Sequence, residues 1–95
     1  MTSSTRLIVT WQAREDIQDI FRYTSEVWGE DQAEAYDQLL DRAFILLRDF
    51  PELGHASISP GDQREHHVRN HCVVDSYSDD TVTILRIVNP RRMRR

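Results

Sequence analysis

Among its 95 residues this chain has one cysteine, Cys72, and no lysine. A single cysteine excludes an intramolecular disulfide and fits a reducing compartment. It also argues against a site built from several thiolates, and neither a metal site nor any other cofactor is expected. No run of about 18 apolar residues occurs, so no membrane-spanning helix is expected. The start, Met1-Thr2-Ser3-Ser4-Thr5, is polar and no long apolar segment follows it. No signal peptide is therefore expected, and the chain is read as cytoplasmic. Glycine and proline are scarce, three each, and serve as punctuation. The length suffices for one two-layer core and not for two, giving a single domain over 1–95 with a basic tail at 91–95. There are no internal repeats.

The net charge of −4 conceals an asymmetry. Residues 12–62 hold twelve acids against four arginines, a net of −8, whereas 63–95 hold seven arginines against four acids, a net of +3. All twelve basic residues are arginine, the side chain that meets carboxylate and phosphate as a planar fork. An acidic first half and a modestly basic second half follow.

Leu7-Ile8-Val9 reads as a short strand, and Thr10 as an N-cap. Ala13, Ile17, Ile20, Phe21, Thr24, Val27 and Trp28 recur in steps that draw one face of an amphipathic helix, which Gly29 ends. Ala33, Tyr36, Leu39, Leu40, Ala43, Phe44, Leu47 and Phe50 continue the period in a second helix closed by Pro51. A link this short makes the two an antiparallel hairpin. Its outer face carries Glu15, Asp19, Glu26, Glu34, Asp37 and Asp41, either a solvated face or one that repels nucleic acid or receives a basic partner. The aromatics Trp11, Phe21, Tyr23, Trp28, Tyr36, Phe44 and Phe50 read as core and hairpin packing.

Glu52–Gln63 reads as a loop on its glycines and proline. Strands follow at about 64–69 and 72–77, with a tight turn near Asn70 and another at Ser78-Asp79-Asp80. The terminal strand, Val82 to Val88, is apolar on both parities apart from Arg86, and Asn89-Pro90 stops it. The order β-α-α-β-β-β gives an α+β fold, an antiparallel sheet packed against an N-terminal helical hairpin.

Three stretches, Ala13 to Gly29, Phe50-Pro51-Glu52-Leu53-Gly54, and Thr83 to Arg92 together with Arg64 and Val68, resemble the RelE/ParE superfamily of small bacterial toxins, and ParE more than RelE. Two positions depart from the pattern: Asp75 stands where relatives carry an aromatic residue, and His66-His67 where they carry an apolar-proline pair. The resemblance implies a toxin of a type II toxin–antitoxin system that poisons DNA gyrase by binding and is neutralised by a ParD-like antitoxin in a hetero-oligomer. Target contacts are expected from Arg86, Arg91, Arg92, Arg94 and Arg95, and antitoxin contacts from Arg64, Arg69, Tyr77 and Arg86. No sequence-specific nucleic-acid binding is expected.

The alternative is a RelE-like, ribosome-dependent mRNA interferase. Arg64 and Arg86 would then hold the scissile phosphate and His67 would serve as acid or base. Against it, no tyrosine follows Tyr77 to supply a terminal phenol, and His66 and His67 point to opposite faces of a strand. Arg64 and Arg86 also fit structural ion pairs, for example with Asp75. A third reading is a degenerate fold that only binds antitoxin. His67 and His71 have helical ligand spacing, but a turn separates them. Cys72 reads as a small core residue.

Overall fold

A computed structural model describes residues 5–53, 55–56 and 63–93. The elements are β1 (Arg6–Val9), α1 (Trp11–Trp28), α2 (Glu30–Asp49), a 3-10 turn (Pro51–Leu53), β2 (His55–Ala56), β3 (Gln63–Val68), β4 (His71–Ser78), β5 (Thr81–Val88) and α3 (Pro90–Met93).

The helical hairpin is joined by Gly29 alone, which caps both helices at φ +95°. That value lies in the left-handed region, where a side chain is strained even with open space around it. Thr10 starts α1 as expected, its hydroxyl accepting from the Ala13 N–H at 3.2 Å and donating to the Leu85 carbonyl at 3.0 Å. One side chain thus caps the helix and ties it to the sheet. Thr10→Ala should cost about 1–2 kcal/mol, seen as a lower urea midpoint with an unchanged m-value.

The sheet order is β1-β5-β4-β3-β2. β3, β4 and β5 form the expected antiparallel meander, and Asp79 and Asp80, both at positive φ, make its second turn. The sheet as a whole is mixed, because β1 lies parallel to β5 with Leu7 beside Val82. A parallel pair needs a long crossover, and the intervening helices and strands supply it. Two further differences are small. A two-residue strand, β2, falls in the stretch read as a loop and pairs with Arg64 and Glu65. Asn89-Pro90 also starts a helical turn, since Asn89 Oδ1 accepts from the Arg91 N–H at 3.0 Å and proline suits the first helical position.

The double-parity apolar pattern of β5 has a structural cause. Val74 pairs with Arg86 and Asp75 with Ile84, so Leu85 is an extra residue, a bulge. Val82 and Ile84 face the helices before it, and Ile87 after it. These pack with Val73, Leu40, Leu47, Phe44 and Ala13 into one core. Among the aromatics, Phe44 is in that core and Tyr36 packs against it, but Trp11, Tyr23, Trp28 and Phe50 are exposed. They sit at helix ends or on the outward flank, where helical spacing no longer points inward.

Candidate functional site

Two of the arginines expected to carry function are held in ion pairs, and the pairs differ in kind. Where β1 leaves the sheet, β5 has an uncovered N–H edge, and Asp16 of α1 takes it over. Its carboxylate accepts from the Ile87 N–H at 2.9 Å and from Arg86 Nε and Nη2 at 2.8 and 3.1 Å. The Arg86 side chain remains 54% exposed while Asp16 is 14% exposed. Arg86 is therefore a pre-oriented surface cation. Arg86→Ala should change stability by less than about 1 kcal/mol, as exposed pairs do. Asp16→Ala should cost about 1–3 kcal/mol, because it strips the Ile87 amide of its acceptor. Chemical denaturation of the two variants side by side checks the order.

Arg64 is different. Its guanidinium donates to the carboxylate of Asp75 and to the Pro51 carbonyl, and lies 5.5 Å from the centre of the Tyr77 ring. The side chains are 15% and 0% exposed. Among the described residues, Asp75 Oδ1 and Arg64 Nε have no hydrogen-bond partner. Burial pushes the Asp75 carboxyl above its usual range, and Arg64 only partly offsets that. Asp75 is thus matched by an internal cation across the β3–β4 ladder, where the two residues pair directly.

Beside the hairpin lies a groove of about 730 Å³. α1 gives it Tyr23 and Trp28, α2 gives Tyr36 and Arg42, the β3–β4 turn gives Arg69, the start of β4 gives His71, and the chain after β5 gives Asn89 and Arg91. The Tyr36 hydroxyl lies 2.6 Å from His71 Nδ1 and 3.1 Å from the Val68 carbonyl, and burial raises its pKa, so it acts as a neutral donor. A second concavity holds Arg86 and Asp16 and shares Tyr23, His71 and Asn89 with the groove. Together they form one track with three arginines, Arg42, Arg69 and Arg91, and two exposed aromatic rings, with Arg86 at its end.

The residues read from sequence divide accordingly. Arg69, Arg86 and Arg91 lie on the track, while Arg64 and Tyr77 pack against each other elsewhere. The Arg92 side chain, Arg94 and Arg95 lie outside the described residues. The interferase set does not line one concavity: Arg64 is in its buried pair, Arg86 ends the track, and His67 lines a further depression that shares Leu39, Arg42 and Arg69 with the groove. Sequence reasoning missed Trp28, Tyr23 and Arg42. It also missed Asp16, which falls at the i+3 position from Ala13 and four before Ile20, on the apolar stripe; an acid there needs a partner.

A family model for the ParE toxin of the type II toxin–antitoxin system parDE matches residues 7–94. The chain belongs to the ParE toxin family. Solved structures share the fold of this ParE-family chain at low identity. One, a chromosomal ParDE toxin–antitoxin system from P. aeruginosa, is 18% identical with a TM-score of 0.82, covering 93% of this chain and 98% of that one. A copper-bound mutant toxin from Helicobacter pylori is 18% identical with a TM-score of 0.67, covering 95% and 99%. The toxin–antitoxin complex RelBE2 from Mycobacterium tuberculosis is 17% identical with a TM-score of 0.63, covering 94% of each. No curated protein sequence matches this one. No helix among the described residues of this ParE-family chain is long and apolar enough to cross a membrane.

Proposed function

We propose that this ParE-family chain is a cytoplasmic toxin that acts by binding: it docks on DNA gyrase, traps the cleaved-DNA state, and is silenced by a ParD-like antitoxin. The observation that carries the binding reading is the locking of Arg64 in its pair with Asp75. An RNA-cleaving site needs free cations and an acid–base pair around one phosphate, and the Arg64–Arg86–His67 set does not converge on one. Arg86 and the basic tail from Arg91 supply the electrostatic part of target docking.

The track suits an antitoxin segment that orders on binding, with apolar side chains for Trp28 and Tyr23 and acids for Arg42, Arg69 and Arg91. The complex is a hetero-oligomer. Expression of the chain alone should arrest growth, and co-expression of a cognate ParD-like antitoxin should restore growth. Growth unaffected by well-folded toxin would leave only an antitoxin-binding module.

A second reading rests on one observation: Tyr36 and His71 are hydrogen-bonded within a groove that also holds Arg69 and Arg91. Those are the components of an mRNA interferase, and His71→Ala would then abolish ribosome-dependent cleavage. Under the binding reading the same variant still arrests growth.

A further inference from the structure

We propose that Glu65, His67 and Cys72 form a binding site for a zinc-class divalent cation on the β3–β4 hairpin. One carboxylate oxygen, one imidazole nitrogen and one sulfur lie within 4.8 Å of one another. The strand geometry puts them there. Glu65 and His67 are two apart on β3 and so share a face. Cys72 stands directly opposite His67 on β4 and therefore points the same way. Val68 and Val73, their neighbours, belong to the core on the other face. The trio occupies three corners of a cross-strand square.

The chemistry of the trio selects the ion. Magnesium and calcium take oxygen ligands only, whereas a mixed sulfur, nitrogen and oxygen set suits zinc and its neighbours. Tetrahedral zinc, with bonds of about 2.0–2.3 Å, needs donors roughly 3.3–3.7 Å apart. Closing from 4.8 Å requires side-chain rotation at His67, which is exposed, and at Glu65, which is half-buried. The backbone ladder need not move. Three protein ligands leave a fourth position for water. Burial and the Glu65 carboxylate push the Cys72 thiol up, so the metal-free site holds a protonated sulfur and binding releases that proton. A bound ion would pin the hairpin whose turn brings Arg69 and His71 to the track.

The site is separate from Arg86 and from the Tyr36–His71 groove, so its test does not depend on toxin activity. The untagged full chain is titrated with Co²⁺ and followed by thiolate-to-metal charge-transfer absorption, then with Zn²⁺ as competitor. The expected result is a band that saturates at one Co²⁺ per chain and is removed by Zn²⁺. Cys72→Ala should abolish it. His67→Ala, an exposed position that leaves the fold intact, should weaken Co²⁺ binding at least tenfold, and Glu65→Gln should weaken it as well. The absence of a band with folded protein overturns the proposal. So does an unchanged affinity in His67→Ala, or saturation at one metal per two chains.

Discussion

Removing either partner of the Arg64–Asp75 pair should destabilise the protein by about 3–5 kcal/mol, because each single variant leaves a buried charge without its counter-ion. Asp75 has no exposed surface, and Arg64, 15% exposed, is held against Tyr77 and the 3-10 turn at Pro51. Against a typical domain stability of about 5–15 kcal/mol, such a loss threatens folding itself. Replacing both residues together, Arg64→Leu with Asp75→Leu, should recover most of it, since an apolar pair has no desolvation cost and leaves no orphaned atom of the Oδ1 and Nε kind. Urea denaturation of the four proteins gives the coupling energy. Single-variant losses under about 1 kcal/mol would show the pair to be solvated.

The same pair sets a pH dependence whose sign is opposite to ordinary acid unfolding. The folded-state carboxyl of Asp75 lies above the usual range because burial outweighs Arg64. Between its ordinary pKa and its raised one, the folded state binds more protons than the unfolded state. This group's contribution to stability therefore rises as pH falls through the raised pKa and levels off below the ordinary one. The stability difference between wild type and the double leucine variant should grow in favour of wild type as pH drops toward about 4. A difference that shrinks over that window would mean that pairing outweighs burial.

The second large effect concerns antitoxin recognition. Trp28 is 69% exposed at the end of α1 and lines the same groove as Arg42, Arg69 and Arg91. A large exposed ring that shares a groove with arginines is the composition of an interface hot spot. Trp28→Ala should weaken antitoxin binding by about 30-fold or more, the effect of losing about 2 kcal/mol. Its effect on toxin stability should stay within about 0.5 kcal/mol, as for other exposed positions. Arg69→Glu should act through association rate and salt dependence instead. Calorimetric titration at two salt concentrations separates the two. Equal affinity for wild type and Trp28→Ala would place the antitoxin off this track.

The elements that sequence made legible are those with local signals. Thr10, Gly29 and Pro51 mark helix ends by their own backbone chemistry, and the apolar steps between them fix the hairpin. The β3–β4–β5 meander is announced by its turns at Asn70 and Asp79-Asp80. The parallel pairing of β1 with β5 is not announced, because Leu7 and Val82 are far apart in the chain and a four-residue strand carries no partner signal. The bulge at Leu85 is visible only as a puzzling double-parity pattern.

The candidate site was half legible for a related reason. Arginine positions could be read from the sequence, but whether an arginine is free or neutralised depends on non-local partners. Arg64–Asp75 was among the alternatives; Arg86–Asp16 was hidden by the many acids of α1. Helical period places Tyr23 and Trp28 with the core, but it does not show where a helix runs past the sheet it packs on, and both rings are exposed. Glu65, His67 and Cys72 come together through strand register, which helical i, i+4 spacing does not reveal.

The central claim is tested most directly by incubating antitoxin-free protein with gyrase, supercoiled plasmid and ATP, then denaturing and digesting the protein. The account predicts linear DNA that requires both gyrase and toxin. It also predicts less linear DNA, in a graded way, from Arg86→Ala protein with an unchanged circular dichroism spectrum. Plasmid left uncleaved by folded wild-type protein, together with mRNA cut on ribosomes, would contradict it.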